Sequence, residues 1–190
     1  MNIHPSIAKG RMTNALRVVA DFLARLPRDR LSPETTEDRE GFVHPYEIAG
    51  GVAEVKVRAL LRDFDTAMLA ERAELLRRTA AATMAEFSEA KIDVAVKSQY
   101  RNMAEGLVKD PRAVAYAEEA LQRLGRTPKR TIVRGGTDGS RLTELGLPTP
   151  NLATGEHNPH SLLEWACLDE MLQAVQWLVA LAEVWSEDTS

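Results

Sequence analysis

From Ser6 to Lys97 the apolar residues change their period repeatedly, and that rhythm restricts the fold more than any other feature of the sequence. Ala8, Met12, Ala15, Leu16, Val19, Phe22, Leu23 and Leu26 recur at intervals of three and four, as one face of a helix over about Ser6 to Leu26 requires. Pro27 ends it. Arg28 to Glu40 is polar, with Ser32, Pro33, Thr35 and Thr36, and reads as a mobile surface loop without a core-facing pattern. Two short runs follow, Val43–Ile48 and Val52–Leu61, around Ala49-Gly50-Gly51. In the second, Ala53, Val55, Val57 and Ala59 alternate with Glu54, Lys56 and Arg58, which predicts a hairpin with one face on a core. A helix from Thr66 to Phe87 presents Leu69, Ala73, Leu76, Ala80, Met84 and Phe87, with Asp65 as its N-cap. Ile92, Val94 and Val96 then alternate as in a strand. Helix, strand, strand, helix, strand becomes a split β-α-β-β-α-β unit if one strand precedes it.

After Tyr100 the pattern is that of an α/β layer. A helix is expected from Pro111 to Leu124, a strand from Arg130 to Val133, a Gly-rich turn from Arg134 to Gly139 that opens a helix, and a short strand over Pro150–Ala153. Met171, Ala174, Val175, Leu178, Leu181, Ala182 and Trp185 form the face of a last helix. The boundary between the two parts falls between Gln99 and Asp110.

Composition narrows the class of function. With 44% apolar and 27% charged residues the 190-residue chain can bury a substantial core. A formal net charge of −4 and 5% aromatic residues disfavour a nucleic-acid partner. Arg77-Arg78 and Lys129-Arg130 read as solvated pairs. No apolar run approaches the length of a membrane span. The single Cys167 has no basic neighbour in sequence to activate it and reads as a small buried apolar residue. One cysteine, and no basic-then-apolar start after Met1, make the reducing cytoplasm the expected location.

Four histidines, His4, His44, His157 and His160, could carry metal or proton chemistry. His160 stands out because Glu156 and Glu164 flank it in a loop after a strand, whereas His157 reads as an exposed loop residue. Arg134-Gly135-Gly136-Thr137 could bring backbone N–H groups and a two-pronged guanidinium to a carboxylate or phosphate, or be only a tight turn.

Several short motifs stand in order along the chain. They are His4-Pro5-Ser6-Ile7-Ala8-Lys9-Gly10, Asn14-Ala15, Glu40-Gly41-Phe42, Arg62-Asp63-Phe64-Asp65 and Tyr100-Arg101-Asn102-Met103. Arg134-Gly135-Gly136-Thr137-Asp138-Gly139, Leu147-Pro148, Pro150-Asn151-Leu152 and His160 four before Glu164 complete the series. Together they resemble the peptidase T family, dizinc aminotripeptidases related to carboxypeptidase G and the carnosinases. The resemblance implies an α+β chain: a ferredoxin-like split β-α-β-β-α-β lid domain over residues 1–104, followed by the C-terminal α/β part of a zinc-peptidase catalytic domain over 105–190. The lid's first strand would be largely missing, with Asn2-Ile3 its remnant.

Only matched positions carry a role by that resemblance. His160 aligns with the family's C-terminal zinc ligand. His4 aligns with the lid histidine that stabilises the oxyanion of the tetrahedral intermediate in the neighbouring subunit, which makes it the catalytic residue of this chain. Arg62 aligns with a substrate-carboxylate arginine, and Gly135, Gly136 and Thr137 with the loop lining the substrate pocket; Arg134 and Asn102 are weaker matches. The family's His-x-Asp pair and its other ligands are absent here, and Glu118-Glu119 falls within a helix as a solvated face. Ser6-Ile7 and Ser161-Leu162-Leu163 depart from the family pattern. A complete active site would hold two zinc ions, of whose ligands this chain supplies one, and catalytic zinc needs about three from protein. The expected function is therefore the C-terminal portion of a zinc tripeptide aminopeptidase, inactive alone, with a tripeptide substrate, a homodimer through the lid and an N-terminal half as possible partner. The alternatives are a non-catalytic dimerisation module or the C-terminal subunit of a split enzyme.

Overall fold

The computed structural model describes residues 3–188 and divides the chain into two compact units, Met1–Gln99 and Tyr100–Ser190. In the first unit a 3-10 turn at Pro5–Ile7 precedes helix α1, Ala15–Arg25. The single long helix expected from Ser6 is therefore two elements. Gly10 adopts a φ of +66°, which no helix tolerates, and Asn14 starts α1 afresh by accepting a hydrogen bond from the Leu16 N–H at 2.9 Å.

Strands β1, Phe42–Gly50, and β2, Val55–Arg62, form an antiparallel hairpin in register from Phe42↔Arg62 to Gly50↔Val55. The register slips between Pro45 and Glu47, and a bulge is where a strand accommodates a proline without losing its ladder. Helix α2, Thr66–Glu86, begins where Asp65 accepts from the Ala67 N–H at 2.8 Å, the cap expected from sequence. Leu26, Leu31, Val43 and Leu76 make the core of this unit, with Phe22, Leu23, Leu61 and Val94 packed around them. Thr83, fully buried on α2, donates to Asp21 on α1 at 3.0 Å.

Two expectations fail in this unit. Arg28 to Glu40 does face the core: Leu31 and Thr36 are buried, the Val43 N–H donates to the Leu31 carbonyl, and a 3-10 turn spans Pro33–Thr35. One apolar residue in a polar segment is enough to anchor it, and one residue has no period to detect. Ile92 to Lys97 keeps a strand's alternation, Ile92 and Val94 half-buried between exposed neighbours, but has no ladder. A strand exists only with a partner for its N–H and C=O groups. Of the remnant of an earlier strand, Asn2 lies outside the described residues and Ile3 pairs with nothing among them. Of the expected split β-α-β-β-α-β unit, the structure forms two helices and a two-stranded hairpin, and no outer strand pairs with that hairpin among the described residues.

The second unit is mainly helical: α3, Ala104–Leu107; α4, Arg112–Arg123; α5, Asp138–Glu144; and α6, Leu168–Glu187. Helix α4 stops at Gly125, φ +71°, where the Gly125 N–H bonds to the Gln122 carbonyl and the Arg126 N–H to that of Leu121. Its alanines Ala117 and Ala120 let α6 approach closely: Ala120, Ala180 and Val184 are buried together, and the Trp177 indole donates to the Ala117 carbonyl at 2.7 Å. Arg112 ties the two helix ends by bonding Asp110 and Asp188 while its guanidinium lies over the Trp185 ring, and Trp185 meets Tyr116 edge-on.

Neither Arg130–Val133 nor Pro150–Ala153 is a strand. The sheet here is β3, Glu156–His157, paired antiparallel with β4, Trp165–Ala166. The face expected for the last helix is only partly right: Leu181 packs against α4 and Trp185 meets Tyr116, but Met171, Val175 and Leu178 are exposed while Trp177, Ala180 and Val184 take their place. Cys167 is half-buried ahead of α6 instead of sealed in a core. Among the described residues no helix is long and apolar enough to cross a membrane.

Candidate functional site

Two of the site residues that the resemblance implies, His4 and Arg62, belong to the first unit. His4 caps the 3-10 turn: its Nδ1 lies 2.7 Å from the Ser6 hydroxyl and accepts from the Ser6 N–H at 3.3 Å, with the side chain exposed. Arg62 ends β2 and donates to Gln99 Oε1 at 3.2 Å and to the Leu61 carbonyl at 3.3 Å. The fold also joins two of the quoted motifs. Gly41 lies so close over Asp63 that any side chain there would collide with the carboxylate, and Asp63, nearly buried, bonds Arg72 at 3.2 Å and the Asp65 N–H at 3.1 Å. An apolar groove of about 450 Å³ opens between Leu23, Leu26, Pro27, Leu31, Val43 and Pro45, and none of the site candidates lines it.

In the second unit three motifs distant in sequence converge. Gly136 packs against the Tyr100 ring, leaving no room for a Cβ, whereas Gly135 borders open space. The Arg101 N–H donates to Glu144 Oε1 at 2.7 Å, and the Asn102 carboxamide accepts from the Ala104 N–H at 2.9 Å. The Thr137 hydroxyl donates to Asn151 Oδ1 at 3.1 Å, and Gly139 lies against the Thr149 carbonyl and Asn151. Asn102, Arg134, Gly136 and Thr137 are half-buried, so the loop is built in and not merely attached. Close packing requires a glycine at position 136, whereas nothing within 4 Å of Gly135 requires one there.

His160 stands exposed in a tight loop with backbone φ +64°, and Asn158 in the same loop has φ +53°. Left-handed backbone at a non-glycine residue is costly and persists only where the surroundings over-determine it. Here the His160 N–H donates to Glu164, the Ser161 N–H to the Asn158 carbonyl and the Asn158 carboxamide to the Leu163 carbonyl. The four-residue offset from His160 to Glu164 is thus a backbone clamp.

Sequence reading missed His157, taken there as an exposed loop residue. Its Nε2 lies 2.6 Å from Glu170 Oε2, and its ring stacks on Trp165 with centroids 4.1 Å apart and planes 10° from parallel. No spacing announces these partners, since one is across the hairpin and the other on α6. Glu118-Glu119 is a helix face as expected: Glu118 is held by Arg130, whose hydrogen bonds keep its carboxyl below the usual range, and Glu119 by Arg123.

Among the described residues no three His, Cys, Asp or Glu side chains are grouped to hold a metal ion. His160 offers one imidazole with Glu164 engaged on its backbone, which falls short of a zinc site.

The fold is similar to two solved peptidases. One is the aminopeptidase PepT of Bacillus cereus ATCC 10987, with a TM-score of 0.64, 19% identity, and coverage of 97% of this chain and 49% of that one. The other is a tripeptidase of Staphylococcus aureus subsp. aureus mu50, with a TM-score of 0.68, 19% identity and coverage of 98% and 49%. The mixture of helices with small antiparallel sheets is thus similar to the fold of about half of each of those two chains.

Sequence relatives are more specific. The chain is 38% identical over 182 residues to peptidase T of Bacillus subtilis (strain 168), covering 96% of this chain and 44% of that protein. It is 36% identical over 186 residues to peptidase T of Geobacillus sp. (strain WCH70), covering 98% and 45%. No protein-family model matches it. The chain has homologues named peptidase T and spans about 45% of the length of those relatives.

Proposed function

We propose that this chain is the C-terminal portion of an aminotripeptidase that releases the N-terminal residue of tripeptides. One observation carries the reading: 36–38% identity extends over 96–100% of the chain while reaching only 44–46% of each relative. Residues 1–104 would be a ferredoxin-like lid that dimerises and 105–190 the end of the catalytic domain. His160 would be this chain's one zinc ligand, the others coming from polypeptide outside it. Arg62, Asn102, Arg134, Gly135, Gly136 and Thr137 would face substrate, and His4 would donate to the oxyanion, where a positioned donor matters because charge develops there. The cytoplasm is the proposed location.

The test is tripeptide hydrolysis with added zinc by the chain alone and by the chain co-expressed with the part of Bacillus subtilis peptidase T that it does not match. Activity is expected only in the combination, lost with His160→Ala and reduced in kcat with His4→Ala. Hydrolysis by the chain alone, or a combination indifferent to His160→Ala, overturns the reading. No hydrolysis in either arm moves the assignment to a non-catalytic module.

A further inference from the structure

The turn that carries His4 uses the imidazole as its own cap. Pro5 fixes the backbone at the start of the 3-10 turn Pro5–Ile7, and the Ile7 N–H donates to the His4 carbonyl at 3.1 Å. A cap position normally takes a short side chain whose oxygen accepts a backbone N–H. Here His4 Nδ1 fills that part, accepting from the Ser6 N–H at 3.3 Å, with the Ser6 hydroxyl closer still at 2.7 Å.

Those two contacts decide where the ring proton sits. A backbone N–H can only donate, so Nδ1 must present its lone pair to Ser6, and the Ser6 hydroxyl then donates to the same lone pair. The proton of the neutral ring is left on Nε2. Nε2 makes no hydrogen bond among the described residues, and no residue of the turn is buried, so its N–H is open to an acceptor that approaches. Ser6 is also one of the positions at which the sequence departs from the pattern it otherwise resembles, so the hydroxyl is particular to this chain.

We propose that Ser6 is a positioning residue for His4: its hydroxyl and N–H hold the ring in one orientation, as the tautomer protonated on Nε2. Nε2–H is then an aimed donor for an oxygen that gains negative charge. A donor already in place needs no rearrangement as that charge develops. The inference rests on the proposed role of His4 at the oxyanion. It adds which nitrogen donates and which side chain sets it.

Long-range proton–nitrogen NMR of the full chain at about pH 8, above the ordinary histidine range, reads the tautomer from the two ring nitrogens. The His4 signals are those lost in His4→Gln. In the wild type Nδ1 should resonate as an unprotonated nitrogen and Nε2 as a protonated one. Ser6→Ala keeps the N–H but loses the hydroxyl, and the two shifts should move toward each other as the second tautomer gains population. Ser6→Thr should restore them, with helix content by circular dichroism unchanged in both variants. In the chain co-expressed with the part of Bacillus subtilis peptidase T that it does not match, Ser6→Ala should lower kcat for a tripeptide about three- to tenfold, the worth of one ordinary hydrogen bond. KM should stay within about twofold, and Ser6→Thr should recover the rate. Ring-nitrogen shifts identical in wild type and Ser6→Ala, a proton found on Nδ1, or an unchanged kcat in Ser6→Ala overturns the inference alone. A wild-type combination without hydrolysis overturns the proposed function, and the ring-nitrogen shifts still decide whether Ser6 fixes the tautomer.

Discussion

Replacing Leu31 by alanine tests whether the polar segment from Arg28 to Glu40 is held to the first unit by one side chain. Leu31 is 9% exposed and packs with Leu26, Val43 and Leu76, so truncation removes a nearly complete leucine burial. Such losses run to about 2–5 kcal/mol, the spread reflecting the cavity left behind. Leu31 also lines the open groove, so the new void merges with space that water reaches, and the lower end, about 2–3 kcal/mol, is expected. At tenfold per 1.4 kcal/mol, the segment should open roughly 30- to 150-fold more often. Trypsin reads this directly, because Arg28 and Arg30 sit beside the anchor and cleavage follows the open population when opening is fast. Cleavage of Leu31→Ala within about threefold of wild type would refute the anchoring, since less than about 0.7 kcal/mol would then separate the two.

Gly136→Ala drives a methyl into the Tyr100 ring and should cost about 1–3 kcal/mol, while Gly135→Ala, facing open space, should leave the melting temperature unchanged; equal effects would contradict the packing. Asp21, Asp110, Glu118 and Glu187 all titrate below the usual carboxylate range, each chiefly through hydrogen bonds from Arg25, Arg112, Arg130 and Arg123 respectively. Their folded values lie below the unfolded ones, so the stability they add is present above about pH 4 and drains as pH falls through the folded values. Thermal melts by circular dichroism should be flat from about pH 7 to 5 and fall steeply below 4, with a shallower fall in Arg112→Gln; melting indifferent to acid down to pH 3 would count against these pairs.

What could be read from sequence was whatever a local rule decides. Asp65 before a long amphipathic run specifies α2, and helix-forming residues ending near Gly125 specify α4. Period-two runs such as Ile92–Val96 declare only an ability to pair; the ladder depends on a second strand, which sequence spacing cannot supply. On α6 periodicity finds the helix but cannot choose its buried face, because apolar residues occupy both sides. For the site, the motif order brought out His4, Arg62, Arg134–Thr137 and His160, whereas the contacts of Gly136 with Tyr100, the turned backbone at His160 and the stack of His157 on Trp165 are tertiary in origin.

The three tryptophans, Trp165, Trp177 and Trp185, all fall within the last 26 residues, so the tryptophan emission of this chain observes one unit and is blind to the other. They sample different surroundings there: a ring stack with His157, a hydrogen bond to the Ala117 carbonyl, and an edge contact with Tyr116 beneath Arg112. A fluorescence-monitored unfolding curve therefore describes the α4–α6 pair and the loop leading into it. Tyr46, in the β1–β2 hairpin, is the aromatic fluorophore of the first unit, and a single tryptophan substituted there would give that half of the chain an optical signal of its own.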